Sequence, residues 1–326
     1  MAALIVRRLL QGVVVMLCVS FMSFALFQYV GDPVASLVGQ DATEQQRAAM
    51  RSDLGLDRPA PVQFARFVAN AVQGEFGLSL TQGRKVSSLI LERLPATLEL
   101  AGVAAVLSLL VGIPMGVYAA LRRGRAGAKW VMLLSLAGVS VPTFLLGMLL
   151  ILVFSVTLKW LPSFGRGDVV LLGRWSTGLL TASGWRHLVL PAVTLAAFQV
   201  ALLTRLVRAE MLEALRSDYI RFARARGLGP RTLHFSHALR NTLVPVITLA
   251  GLQLGGLIAF AIITESVFQW PGLGLLFIQA IAVADIPVLS AYLCLVALMF
   301  LLINLAVDLL HLAVDPRLRV SSGGGP

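Results

Sequence analysis

The sequence predicts an all-α polytopic membrane protein with six transmembrane helices. Charged residues make up only 13% of its 326 residues and hydrophobic ones 58%. Mean hydropathy is +0.85, and the charges are gathered between six long uncharged runs. A soluble domain carries about a quarter charged residues, so a chain this poor in charge could not cover a water-facing surface.

The first run, residues 9–30, follows Arg7-Arg8 and holds 22 uncharged residues. The apolar core of a cleaved signal peptide is about 7–15 residues, whereas this run can cross about 30 Å of hydrocarbon. Residues 1–30 are therefore expected to be a retained first helix. Residues 31–95 are too polar for the bilayer and form an extracytoplasmic excursion, with Thr43 capping a helix over 44–54 and Gly55 stopping it. Residues 96–312 hold the other runs, at 100–121, 131–158, 188–204, 241–264 and 286–307. Each is near or above the roughly 17–25 residues of a spanning helix. Gly112-Ile113-Pro114 and Pro142 punctuate them, which a bundle tolerates where neighbours re-satisfy the backbone. Residues 159–187 form a glycine-rich second excursion, and 313–326 a cytoplasmic tail with a disordered end. Residues 266–284 are uncharged too, but Trp270-Pro271-Gly272-Leu273-Gly274 breaks helix and leaves about ten residues, too few to cross. That stretch is expected to be interfacial or re-entrant.

The net charge of +11 raises nucleic-acid binding, but Lys and Arg lie in the linkers, where they set topology and meet lipid headgroups. The linkers 122–129 and 205–240 hold four and eight of them, and with the termini one side holds sixteen against eleven. Seven of those eleven lie in residues 31–95, matched there by seven acids. This bias puts both termini in the cytoplasm. Cys18 and Cys294 sit singly in apolar runs, where they suit buried hydrophobes rather than a disulfide framework or metal site.

Residues 205–243 form the most informative stretch. Leu212, Leu215, Tyr219 and Phe222 recur at steps of 3, 4 and 3, one apolar stripe of a helix, with Arg216, Arg221 and Arg224 off it. Gly227-Leu228-Gly229-Pro230 ends that helix, and a second starts near Thr232. The bent pair suits a partner's groove. The residues alone fit equally well a solvated basic linker or a helix lying on the membrane.

Tyr219-Ile-Arg-Phe-Ala-Arg-Ala-Arg-Gly227-Leu228, then His237-Ala-Leu-Arg-Asn241 and Pro245, resembles the cytoplasmic signature of ABC importer permeases, in the dipeptide, oligopeptide, glutathione and nickel branch. The likeness runs through most of the chain. It takes in Gly31-Asp32-Pro33, Leu54-Gly-Leu-Asp-Arg-Pro59, Gly74-Glu-Phe-Gly-Leu-Ser79 and Pro95-Ala-Thr-Leu-Glu-Leu100. Later come Glu265, Phe268-Gln-Trp-Pro-Gly-Leu-Gly274, Asp285-Ile-Pro287, Asn304, Asp308 and Asp315-Pro-Arg317. The Glu-Ala-Ala triad of the wider superfamily falls on Arg221-Phe222-Ala223, a departure common in this branch.

The resemblance implies the shared permease core with a coupling helix carried by Tyr219, Ala223, Arg224, Ala225, Gly227, Leu228 and His237. It implies a translocation path or gate involving Glu265, Trp270, Pro271, Gly272 and Asp285. It implies two ATPase subunits, a second homologous permease and an extracytoplasmic solute-binding protein, with ATP and Mg used by the ATPases and no cofactor on this chain.

Rival classes fare worse. Gly-x-Ser-x-Gly, His-Glu-x-x-His and Gly-x-x-x-x-Gly-Lys are all missing, which argues against a membrane-embedded enzyme and places the energy source on another subunit. A proton-driven secondary transporter needs ionisable residues near mid-bilayer, and the six runs carry none. His234 and His237 lack the further ligands a metal site needs. Glu99 and Asp308 stand near span ends, where a functional and a boundary role fit equally well. No His lies inside a run, which leans the substrate towards small peptides, with glutathione or nickel as alternatives. Alkaline phosphatase fused after Gly167 is expected to be active and after Arg226 inactive; activity at the second site would invert the orientation.

Overall fold

The computed structural model describes residues 2–29, 43–46 and 58–314. The chain divides into two compact units. Unit 1 holds residues 1–96, 171–176 and 271–302, and unit 2 holds 97–170, 177–270 and 303–326.

In unit 1, α1 (Ala2–Tyr29) packs against α2 (Ala60–Val72), a helix absent from the sequence reading. Its start is set by Pro59, whose φ of −55° suits a helix N-terminus, and by Pro61 in the first turn. Phe64 lies 5.6 Å from Phe24 and 5.8 Å from Phe21, and Phe67 lies 6.5 Å from Phe76. Such edge and tilted aromatic pairs add about 0.5–1.5 kcal/mol each beyond area burial. Thr43 does cap: its hydroxyl accepts from the Gln46 N–H, and the Gln46 side chain accepts from the Thr43 N–H, a reciprocal capping box. The rest of that expected helix and Gly55 lie outside the described residues, as do 31–42 and the tail beyond 314. The unit also takes the first turns of α3 (Val86–Leu121), the short α9 (Leu273–Ala282) and the front of α10 (Ile286–Val314). At ten residues, α9 has the length expected for a non-crossing segment.

Unit 2 is built on the remainder of α3 and on α4 (Ala126–Ser140), α5 (Thr143–Leu150), α6 (Ala182–Arg216), α7 (Asp218–Ala225) and α8 (Arg240–Val267). Two wide π-helical segments, Ile151–Thr157 and Thr232–Leu239, continue α5 and lead into α8. A small ribbon, β1 (Val170–Leu172) with β2 (Trp175–Thr177), stands in the second excursion. The helices continue through Pro114, Pro191 and Pro245.

The run 131–158 is not one straight span. Ala126–Ser140 and Thr143–Thr157 are bent by 110° at a break. Pro142 disfavours helical backbone at the residue before it, and Val141 is extended with ψ of 124°. Among the described residues four helices are long and apolar enough to cross a membrane, or five if the bent pair counts as one span; the described part of α1 contributes a shorter apolar helix at Leu10–Leu26. All six runs read from the sequence fall largely in helix.

One close helix contact in unit 2 is of the small-xxx-small kind, the device by which membrane helices approach when hydrocarbon offers no hydrophobic drive. Gly112 and Gly116 of α3 face α6. A Cβ on Gly116 would stand 2.5 Å from Val207 Cβ and 2.8 Å from the Thr204 carbonyl. Gly102 has nothing within 4 Å of such an atom. Gly116→Val is therefore expected to cost about 1–3 kcal/mol and to lower the thermal midpoint of the detergent-purified chain by several degrees. Gly102→Ala should leave it unchanged.

Candidate functional site

Two arrangements concentrate the sequence-predicted site residues. The first is the elbow after α6. No residue between Arg205 and Arg216 breaks helix, so α6 runs through to Arg216 and stops only at Ser217, where ψ is 155°. The break resets the helical phase, so the stripe read as Leu212, Leu215, Tyr219 and Phe222 is not one face. On α7 the inward residues are Ile220 and Ala223, packed with Val117, Leu203, Val207, Met211 and Leu233. Phe222, 65% exposed, and Tyr219, 40% exposed, face outward instead.

Ala223, placed by the sequence among the docking residues, is 8% exposed and belongs to this internal core. Arg224, Ala225, Gly227 and Leu228 are exposed and His237 is half-buried. The helix ends in a Schellman motif: the Gly227 N–H donates to the Arg224 carbonyl at 3.0 Å and the Leu228 N–H to that of Ala223 at 3.4 Å. Gly227 has the left-handed φ of 81° this motif requires. The Arg226 guanidinium stands 5.9 Å over the Phe222 ring. What the elbow offers is an aromatic and arginine-rich outer face on a helix whose inner face is locked.

The second arrangement is a set of buried carboxylates. In unit 2, Glu265 is fully buried and its Oε1 accepts from the Thr97 hydroxyl at 2.6 Å. The Glu265 carbonyl accepts from the Trp270 N–H at 2.8 Å. Glu99 forms a buried ion pair with Arg166 at 2.6 Å, and the Gly178 N–H reaches its Oε2 at 3.4 Å. The Arg166 guanidinium lies 6.0 Å from the Trp270 ring centre. Thr97, Glu99, Arg166, Glu265 and Trp270 thus form one linked network. Arg166 escaped the sequence reading; its only signal was a lone cation between Gly165 and Gly167 in a loop.

In unit 1, Asp285 is buried by the turn at Ser79–Thr81. The Ser79 and Thr81 hydroxyls donate to Oδ2 at 2.5 and 2.9 Å, and the Leu80 N–H to Oδ1 at 3.2 Å. Gly272 is buried and Pro271 half-buried. Glu265, Trp270 and Asp285 are each buried and partnered within the chain. Among the described residues no three His, Cys, Asp or Glu side chains converge as a metal cage would need.

The family described as "Binding-protein-dependent transport system inner membrane component" matches residues 112–320, and its N-terminal counterpart matches residues 1–101. The chain belongs to this family. The permease is 40% identical to the Di/tripeptide transport system permease protein DppB of Pseudomonas aeruginosa, across 98% of this chain and 99% of that one. It is 39% identical to the Glutathione transport system permease protein GsiC of Escherichia coli K12, across 97% and 98%. In structure it resembles the inward-facing MetNI methionine ABC transporter with a TM-score of 0.56 and 21% identity, covering 70% of this permease and 96% of that chain. It is thus an ABC importer permease of the peptide and glutathione branch, an inner-membrane multi-pass protein, and its fold is the one the sequence predicts in class.

Breaking a buried ion pair from one side leaves an uncompensated charge at about 3–5 kcal/mol. Arg166→Met in the permease should therefore lower its thermal midpoint sharply. The paired Glu99→Leu/Arg166→Met change should recover most of the loss, since an apolar pair of similar volume is close to neutral.

Proposed function

We propose that this permease is the translocation subunit for small peptides, di- and tripeptides or glutathione, delivered by a solute-binding protein. The observation that carries this reading is near-full-length identity of about two residues in five to permeases named for those cargoes. Glutathione is itself a tripeptide, so the two names describe one chemistry: a short, polar chain with a free carboxylate and amine. A second homologous permease and two ATPase subunits complete the assembly, and those subunits, not this chain, bind and hydrolyse ATP with Mg. The basic short linkers orient both termini to the cytoplasm, which puts the elbow on the ATPase side.

In this reading Tyr219, Arg224, Ala225 and Leu228 meet the ATPase groove. Ala223 and Gly227 shape the elbow, the one by holding α7 to the core and the other by its left-handed turn, and His237 steadies the following segment. Within unit 2 Glu265 and Trp270, and within unit 1 Pro271, Gly272 and Asp285, act on the path as anchors of its walls.

Uptake of labelled tripeptide by cells lacking their own peptide importers tests the cargo. It should appear only when the permease is expressed with its ATPase and binding-protein partners. Uptake of nickel but not of peptide would sink the assignment. Leu228→Asp on the outer face should cut uptake at least about tenfold, the equivalent of about 1.4 kcal/mol of lost docking, at unchanged abundance. Arg231→Ala should have little effect. The reverse pattern would move the docking surface elsewhere.

A further inference from the structure

Unit 2 carries a groove of about 640 Å³ whose charge the transport reading leaves unused. Arg123 and Lys129 line it from the α3–α4 link and the first turn of α4, and Arg205 and Arg208 line it from α6. No carboxylate lines it. Among the described residues, no ion pair or side-chain hydrogen bond involves any of these four cations. Arg208 is half-buried and its Nε is buried without a hydrogen-bond partner. An adjoining hollow of about 470 Å³ shares Arg123 and Arg208 and adds Arg216 with one acid, Glu213. Across both, five cations stand against one carboxylate.

The floor of the groove is apolar. Met132, Leu133 and Leu136 follow Lys129 on one face of α4, at the steps of 3, 1 and 3 that keep side chains in line on a helix. Leu133 and Leu136 are more than half exposed. From Lys129 to Leu136 the face rises about 10 Å at 1.5 Å per residue. A cationic mouth thus opens onto an apolar stripe running along a membrane helix. The cations lie at one boundary of their spans: Arg205 follows the uncharged run 188–204, Arg123 lies in the short link between α3 and α4, and Lys129 in the first turn of α4. Trp130, beside Lys129, is exposed, as interfacial tryptophans are.

We propose that this groove binds an anionic phospholipid, its phosphodiester held by Arg123, Lys129, Arg205 and Arg208 and one acyl chain lying along Met132, Leu133 and Leu136. Four cations without acids favour a phosphate over a zwitterionic headgroup, and the apolar face gives a tethered chain an advantage over a free anion. The assignment rests on membrane embedding and is independent of the cargo and of the orientation.

The test is lipid retention by the purified full-length chain, read by native mass spectrometry after exchange into phosphatidylcholine micelles doped with phosphatidylglycerol. The unmodified chain should keep phosphatidylglycerol, and Arg205→Gln/Arg208→Gln should weaken retention about fivefold for each cation removed. A matched charge loss at the exposed pair, Arg174→Gln/Arg186→Gln, should not. Should the first variant fold poorly, Leu133→Trp, at an exposed position, blocks the tail path with all four cations intact and should also lower retention. Equal retention by the unmodified chain and both groove variants would overturn the proposal. So would displacement of the lipid by inorganic phosphate alone, which would mark a bare anion site. Release of a co-purified ATPase subunit by Arg205→Gln/Arg208→Gln at unchanged lipid retention would equally overturn it, since the groove would then belong to a protein partner.

Discussion

A hydrocarbon solvent gives a polar group no partner, so each polar group must find one inside the protein or sit at a boundary. The arrangement of this permease follows from that constraint. Glu265 meets Thr97, Glu99 meets Arg166 and the Gly178 backbone, and Asp285 meets four donors of the Ser79–Thr81 turn. Each partner comes from a segment distant in sequence, at separations of 67 to 206 residues. A buried carboxylate satisfied in this way contributes little net stability, but leaving it unmatched is costly. The acids therefore select one arrangement of the loops around them. That is why a glycine-rich stretch such as 159–181 can hold a defined course: Arg166 and the Gly178 N–H are both committed to one carboxylate.

The elbow is held differently: α7 is fixed by apolar contact rather than by a buried acid. Ile220 and Ala223 insert into a core shared with Val117 of α3 and Leu203, Val207 and Met211 of α6. A close-packed core of this kind transmits displacement rather than absorbing it. Ile220 packs in one core with Leu203 and Val207 of α6, and those two residues close on Gly112 and Gly116 of α3. This continuous packing depends on small residues. A methyl at 223 and hydrogens at 112 and 116 permit the approach that larger side chains would prevent.

The apolar spans were legible because charge is excluded from them, and the ten-residue α9 because Pro271 and Gly272 cut its run short. Gly227 was legible from local chemistry, since a glycine after the last turn and a proline three residues on mark a helix end. Reading failed where phase or distance mattered. The stripe through Tyr219 and Phe222 assumed one helix from Leu212, and Ser217 interrupts it; the Ser217-Asp218 pair, a common helix start, was the available signal. Pro142 was read as tolerated, yet it breaks its run by 110°, whereas Pro191 and Pro245 do not break theirs. The α2 helix hid in a polar excursion because its aromatic face covers α1 rather than a long core. Partners of buried acids, Arg166 above all, lie far off in sequence and leave no local periodicity to read.

Positive charge in this chain is better understood by environment than by its sum. Arg166 is buried and neutralised by Glu99, so it acts as a structural tie. Arg221 and Arg224 stand in water on α7, where screening leaves each exposed charge little energy but useful directionality for an approaching partner. Arg205 and Arg208 occupy neither setting. They lie at a span boundary, half-buried in a groove that no carboxylate lines, where the dielectric is lower than in water and a cation's interaction with an anion is correspondingly stronger. Lysine and arginine side chains at such depth normally extend towards the interface. A groove that instead keeps Arg208 Nε buried favours an acceptor at the same depth, which the proposed phosphodiester would supply. The linker charges that set topology are thus in part also binding groups, and the two roles separate by burial rather than by sequence.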